Sequence, residues 1–114
     1  MEKQWKLLDA LQECGEAAAI YKGQIFLAVN RNLADLLEKD PEEMEGTSIN
    51  SICHEGSIEM IQDFIHRRIH QDRDVPTSYE CAFTTPSNPK IVMKVIAVPL
   101  KSCDEAVLVI LKNP

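Results

Sequence analysis

The stretch Tyr21–Gly46, YKGQIFLAVNRNLADLLEKDPEEMEG, decides the architecture. Lys22-Gly23 is a turn between two short apolar-rich runs, Ala17–Lys22 and Gln24–Asn30, which read as an antiparallel strand pair. Asn30 stands where the second strand gives way to a helix. Its side-chain oxygen is expected to accept a hydrogen bond from an amide of the first turn. Leu33, Leu36 and Leu37 mark one side of that helix, which should end near Lys39. Asp40-Pro41-Glu42-Glu43 opens a second short helix, with Asp40 as cap, Pro41 at the first helical position and Glu43 returning a hydrogen bond as in a capping box. Gly46 is expected to stop it. The stretch holds no nucleophile–base pair, no phosphate-cradling loop and no metal-ligand cluster, so a small recognition module is expected rather than an enzyme.

On the N-terminal side, residues 2–13 read as a flanking amphipathic helix, with Trp5, Leu8 and Leu11 at helical spacing and Gly15 as its stop. A helix this short must pack on the domain's own sheet or on a partner chain. Towards the C-terminus, Ile49 and Ile52 suit one further helical turn. Glu55–His70 is the longest helix, with Ile58, Ile61, Ile65 and Ile69 as its apolar stripe and Phe64 flanking it. The last forty or so residues change to strand character. Tyr79, Cys81 and Phe83 alternate with Ser78, Glu80 and Ala82; Ile91–Leu100 and Ala106–Leu111 follow, separated by turns at Pro86–Pro89 and Ser102–Glu105. Two groups of strands around a helical middle define an α+β fold, one antiparallel sheet with helices on one face. The last two strands are apolar at both alternating sets of positions and so need cover on both faces. The outer cover must come from the N-terminal helix, a second protomer, or both.

The chain has 114 residues, 45% of them hydrophobic, and a net charge of -6. That length suits one domain: the flanking helix over 1–15 and a core over 16–114. With no basic stripe, direct nucleic-acid or anionic-membrane binding is not expected. No apolar run approaches the roughly 20 residues of a membrane helix, and the N-terminus lacks the apolar block of a signal peptide. Cys14, Cys53, Cys81 and Cys103 are widely spaced, without a zinc pattern. They read as reduced thiols of a cytoplasmic protein, with Cys81 packing as a small hydrophobe.

From about Glu16 to Leu111 the chain resembles a PAS domain. The matching residues are Gly23 and Ile25 in the first hairpin, Asn30 opening the next helix, Ala34 and Leu37 within it, Pro41-Glu42-Glu43 with Gly46, and His54-Glu55 before the long helix. The resemblance implies a five-stranded antiparallel sheet in the order 2-1-5-4-3, with helices enclosing a cavity against one face. It also implies a sensor or dimerisation module of a prokaryotic histidine kinase, cyclic-dinucleotide enzyme or transcription regulator, working with an effector domain or partner protein. Two family features are replaced. Ser87-Asn88-Pro89 stands where many members have an Asp-Gly turn, and Leu111-Lys112-Asn113-Pro114 stands where many have Asp-Ile-Thr.

The familiar cofactor signatures are missing. Photochemical flavin-binding members carry an Asn-Cys-Arg-Phe-Leu-Gln helix motif; Asn50-Ser51-Ile52-Cys53-His54-Glu55 lacks its Arg and Gln. Haem-binding members place an axial histidine on the long helix. His66 and His70 lie there, offset from the isoleucine stripe and beside Arg67 and Arg68, so they are expected to face solvent. No third ligand accompanies them for zinc. No cofactor is therefore expected, neither haem nor flavin, and no catalysis. The candidate cavity residues are Phe26, Leu37, Ile52, Ile61, Ile65, Tyr79, Cys81, Phe83, Met93, Val95 and Val109. They either fill a solid core or surround a small apolar or weakly polar ligand that Tyr79 helps to orient. The leading expectation is a ligand sensor that forms a homodimer through Trp5, Leu8 and Leu11 and the outer sheet face. The alternatives are an interaction module with a filled core, then a haem sensor.

Overall fold

The computed structural model describes residues 9–70, 74–100 and 106–114. The sheet has five antiparallel strands: β1 (Ala17–Lys22), β2 (Ile25–Val29), β3 (Ser78–Phe83), β4 (Ile91–Pro99) and β5 (Ala106–Lys112), in the order 2-1-5-4-3. Between β2 and β3 run α1 (Arg31–Leu36), α2 (Pro41–Met44), a 3₁₀ turn (Ile49–Ser51) and α3 (Glu55–Ile69). The expected architecture and strand order are those observed. Trp5 and Leu8, and the flanking helix over residues 2–8, lie outside the described residues; residues 9–13 are helical.

Register sorts side chains between two faces. Tyr79 pairs with Val95, Val95 with Leu111 and Leu111 with Ala17, a row that faces the helices. Ala97, Val109, Ala19 and Val29 form the next row across β4, β5, β1 and β2. A bulge between Ile20 and Tyr21 shifts the pairing, so Tyr21 meets Phe26 whereas Ile20 meets Ala28. The extra residue is Leu27, left 48% exposed, and its insertion lets Phe26 and Val29 both reach the core despite their odd separation. On the opposite face, Leu11 packs against Ala18, Ile20, Ala28 and Ala106. The N-terminal segment thus supplies part of the outer cover within the same chain. Val92 and Val98 of β4 are 39% and 42% exposed beyond it.

Asn30 does more than cap α1. Its side-chain oxygen accepts from Leu33 N at 2.9 Å and from Ala18 N at 3.0 Å. Its amide nitrogen donates to Glu16 O at 2.8 Å and to Leu11 O at 3.1 Å. These four bonds use the full donor and acceptor capacity of a carboxamide, inside a residue only 1% exposed. One side chain therefore joins the N-terminal segment, the start of β1 and the first turn of α1. Asp40 departs from expectation. It occupies the cap position of α2 but makes no side-chain cap bond, and Glu43 N instead donates to the backbone oxygen of Asp40 at 3.0 Å. With Pro41 at the first helical position, one amide of that turn needs no partner, which lessens the demand for a capping side chain. Gly46 has φ +82, a left-handed conformation suited to glycine, and its N–H reaches Phe26 O at 2.9 Å. α1 is shorter than expected: it ends at Leu36, and Glu38 adopts φ 60.

α3 is capped by His54, whose Nδ1 accepts from Gly56 N at 3.0 Å. Ile61 and Ile65 are its buried stripe, while Ile69 is 41% exposed where the helix runs off the sheet. Among the described residues no helix is long and apolar enough to cross a membrane.

Candidate functional site

Between α3, the 3₁₀ turn and the inner sheet face lies a cavity of about 30 Å³. The sheet contributes Tyr21, Phe26, Tyr79, Phe83, Val95, Val109 and Leu111; the helical layer contributes Leu33, Ile49, Ile52, Cys53, Ile61, Phe64 and Ile65. About 10–15 Å³ of such space accepts one water molecule, so this cavity has room for only a few non-hydrogen atoms.

Eight of the eleven candidate residues stand on this wall: Phe26, Ile52, Ile61, Ile65, Tyr79, Phe83, Val95 and Val109. Leu37, Cys81 and Met93 do not line it; they are buried in the surrounding core. Leu37 sits at the end of α1 with no exposed surface, and Met93 pairs with Cys81 across β4 and β3. Strand alternation places Cys81 and Met93 on the inner face, and helical period places Leu37 on its cover, but proximity to the opening depends on how the layers meet. The wall residues that periodicity missed are Tyr21, Leu33, Ile49, Cys53, Phe64 and Leu111. Leu111 shares a row with Tyr79 and Val95, and Tyr21 has the same inward parity, so pairing β1 with β5 in register would have found both.

Two buried thiols meet beside the cavity. Their interaction raises the pKa of Cys53 and lowers that of Cys81, with burial adding to the rise at Cys53 and opposing the change at Cys81, while the Cys81 thiol donates to Ala82 O at 3.7 Å. Both packed thiols are unbonded cysteines, as is Cys14. Neither cofactor considered above fits this site. Pockets for cofactor-sized molecules run to about 300–1,000 Å³, an order of magnitude above this one. His66 and His70 are exposed and pack edge-on against each other, ring centroids 4.4 Å apart, away from the wall.

The chain's two tyrosines, Tyr21 and Tyr79, both face the cavity. Phe64 packs edge-on against the Tyr79 ring at 4.8 Å. Burial raises the pKa of both hydroxyls, and the nearby Arg68 charge offsets part of the rise. The unfolded chain ionises its tyrosines near pH 10, whereas the folded chain holds those protons to higher pH. The stability this supplies is complete below pH 10 and is lost progressively as pH rises towards the folded-state values. Tyrosinate absorbance is expected to appear only together with loss of the circular-dichroism signal. A tyrosinate step near pH 10 with the fold intact would contradict the enclosed placement.

No family model and no curated protein matches this sequence. Solved structures match it throughout. A PAS domain from Colwellia psychrerythraea aligns with TM-score 0.77 and 13% identity, covering 98% of this chain and 97% of that one. The Rhodobacter sphaeroides LOV protein aligns with TM-score 0.78 and 10% identity, over 97% of this chain and 66% of that one. A PAS domain of a LuxR-family transcriptional regulator from Burkholderia thailandensis, solved in complex with ethanol, aligns with TM-score 0.68 and 13% identity, over 92% and 94%. Domains of sensor histidine kinases are among the others. The chain has the fold of a PAS domain.

Proposed function

We propose that this chain is a sensor and dimerisation module of a prokaryotic signalling protein, and that its input is a small molecule held in the cavity. The observation that carries this reading is the apolar space between α3 and the sheet, with both tyrosines on its wall. A ligand there touches the helical layer and the sheet at once, so it biases how they pack. The size of the space favours a molecule of a few atoms over a flavin or a haem, in keeping with the ethanol bound by the Burkholderia thailandensis neighbour. The module is read as non-catalytic, free of cofactor and cytoplasmic. Its effector is a histidine kinase, a cyclic-dinucleotide enzyme or a transcription regulator.

Methyl-resolved NMR during titration with small alcohols tests the cavity. Methyl signals of Ile61, Ile65 and Val95 are expected to move together and saturate. No movement at concentrations that leave the fold intact sinks the ligand reading in favour of a filled interaction module. The absorption spectrum of the freshly purified protein is expected to lack any visible band; a Soret or flavin band overturns the cofactor-free reading.

The second protomer is assigned to the outer sheet face, where Val98 and Val92 remain exposed beside the N-terminal segment. Val98→Glu places a charge in that apolar patch without entering the core. It is expected to weaken self-association at least about tenfold, or about 1.4 kcal/mol, in sedimentation velocity. An unchanged profile would move the interface elsewhere.

A further inference from the structure

We propose that the preferred ligand of this cavity is a short-chain monocarboxylate, its apolar tail among the isoleucines and its carboxylate bound by Arg68 and the Tyr79 hydroxyl. The inference rests on the cavity reading above and names the chemistry of its ligand.

Arg68 lies one turn beyond Phe64 and Ile65 on α3, and both of those residues form cavity wall. Its guanidinium is partly satisfied by protein. One terminal nitrogen donates to Pro76 O at 2.7 Å. Its charge is close enough to Tyr79 and Tyr21 to favour ionisation of both hydroxyls. Its Nε, however, is buried with no hydrogen-bond partner. Among the described residues no carboxylate pairs with it; Asp63, on the same helix, pairs with Arg67 at 3.5 Å.

A buried donor without an acceptor costs about 1–3 kcal/mol, and more when it carries charge. A ligand that supplies a negatively charged acceptor there removes the penalty. Guanidinium presents its N–H groups as a planar fork, which a carboxylate matches with two parallel hydrogen bonds. The Tyr79 hydroxyl, on the cavity wall and near that charge, can donate its phenolic hydrogen to a second carboxylate oxygen. The remaining wall is aliphatic and aromatic, which suits an alkyl tail and would leave the further oxygens of a phosphate unpaired. The cavity's volume of about 30 Å³ limits the tail and suits acids of about two to four carbons.

The test titrates the wild-type chain with propionate, 1-propanol and propylamine at neutral pH, following cavity methyl signals and the Tyr79 ring by NMR. Propionate is expected to bind at least ten times more tightly than 1-propanol, with propylamine weakest. Arg68→Gln is expected to abolish that preference, and Arg68→Lys, which keeps the charge but not the fork, to leave part of it. If 1-propanol moves the cavity signals and propionate binds no better, the carboxylate assignment is wrong and the cavity reading survives. If neither moves them, both are wrong. The wild-type comparison decides the matter by itself should a variant fail to fold.

Discussion

Asn30→Ala is expected to lower the melting temperature by about 15–30 °C, the equivalent of about 4 kcal/mol at 4–8 °C per kcal/mol for a domain near this size. The change removes the cap of α1, worth about 0.5–2 kcal/mol. It also strips partners from Ala18 N, Leu11 O and Glu16 O. Each buried backbone group left unpaired costs about 1–3 kcal/mol, and water entry at the N-terminal segment relieves part of that. The expected loss is a large share of the about 5–15 kcal/mol by which domains are stable. Asn30→Asp separates the two roles. It keeps an acceptor for Leu33 N and Ala18 N but turns a carboxylate towards two carbonyl oxygens, so it should recover little. Thermal melts of the three proteins decide this; a drop below about 5 °C for Asn30→Ala would reduce Asn30 to an ordinary cap.

Leu33→Ala is expected to cost about 3–4 kcal/mol, within the 2–5 kcal/mol typical of buried leucines. Leu33 is 1% exposed and forms part of the cavity wall, so truncation removes packing and enlarges the existing space. An apolar molecule too large for the parent cavity, such as benzene, should then raise the melting temperature of the variant and leave that of the parent unchanged. Leu27→Ala is the control. Its side chain projects from the bulge, 48% exposed, and its removal should change stability by less than about 0.5 kcal/mol. Urea denaturation of both variants checks the contrast. Equal losses at the two sites would mean that Leu33 is less constrained than its burial indicates.

The architecture was legible in the sequence because its signals are local. The Lys22-Gly23 turn, the Asn30 cap, the Pro41 helix start and the isoleucine stripe of α3 each follow from backbone conformation or periodicity within a few residues. Strand boundaries agreed closely for the same reason: β1 spans the expected Ala17–Lys22, and β4 and β5 differ by one residue at one end. Asp40 was the exception among the caps, because a residue type suited to capping does not compel the bond when proline already occupies the next position.

The candidate site was legible only in outline. Alternation identified the inward faces of β3, β4 and β5, and so the wall residues Tyr79, Phe83, Val95 and Val109, and helical period gave Ile61 and Ile65, but parity along a strand does not reveal distance from a gap between layers. Leu37, Cys81 and Met93 face the core where it is closed, whereas Tyr21 and Leu111 face it where it is open.

By itself, the sequence determined the order of elements, their ends, and which residues turn inward, since these depend on short-range sterics, hydrogen bonding and hydrophobic period. Tertiary structure alone decided that Asn30 would bond four backbone groups of three segments at once, that Cys53 would lie near Cys81, and that the Arg68 charge would lie near two tyrosines. Apart from the Asn30–Leu33 bond, those contacts join positions 11 to 47 residues apart, and their geometry is set by sheet register and by the way α3 lies across it.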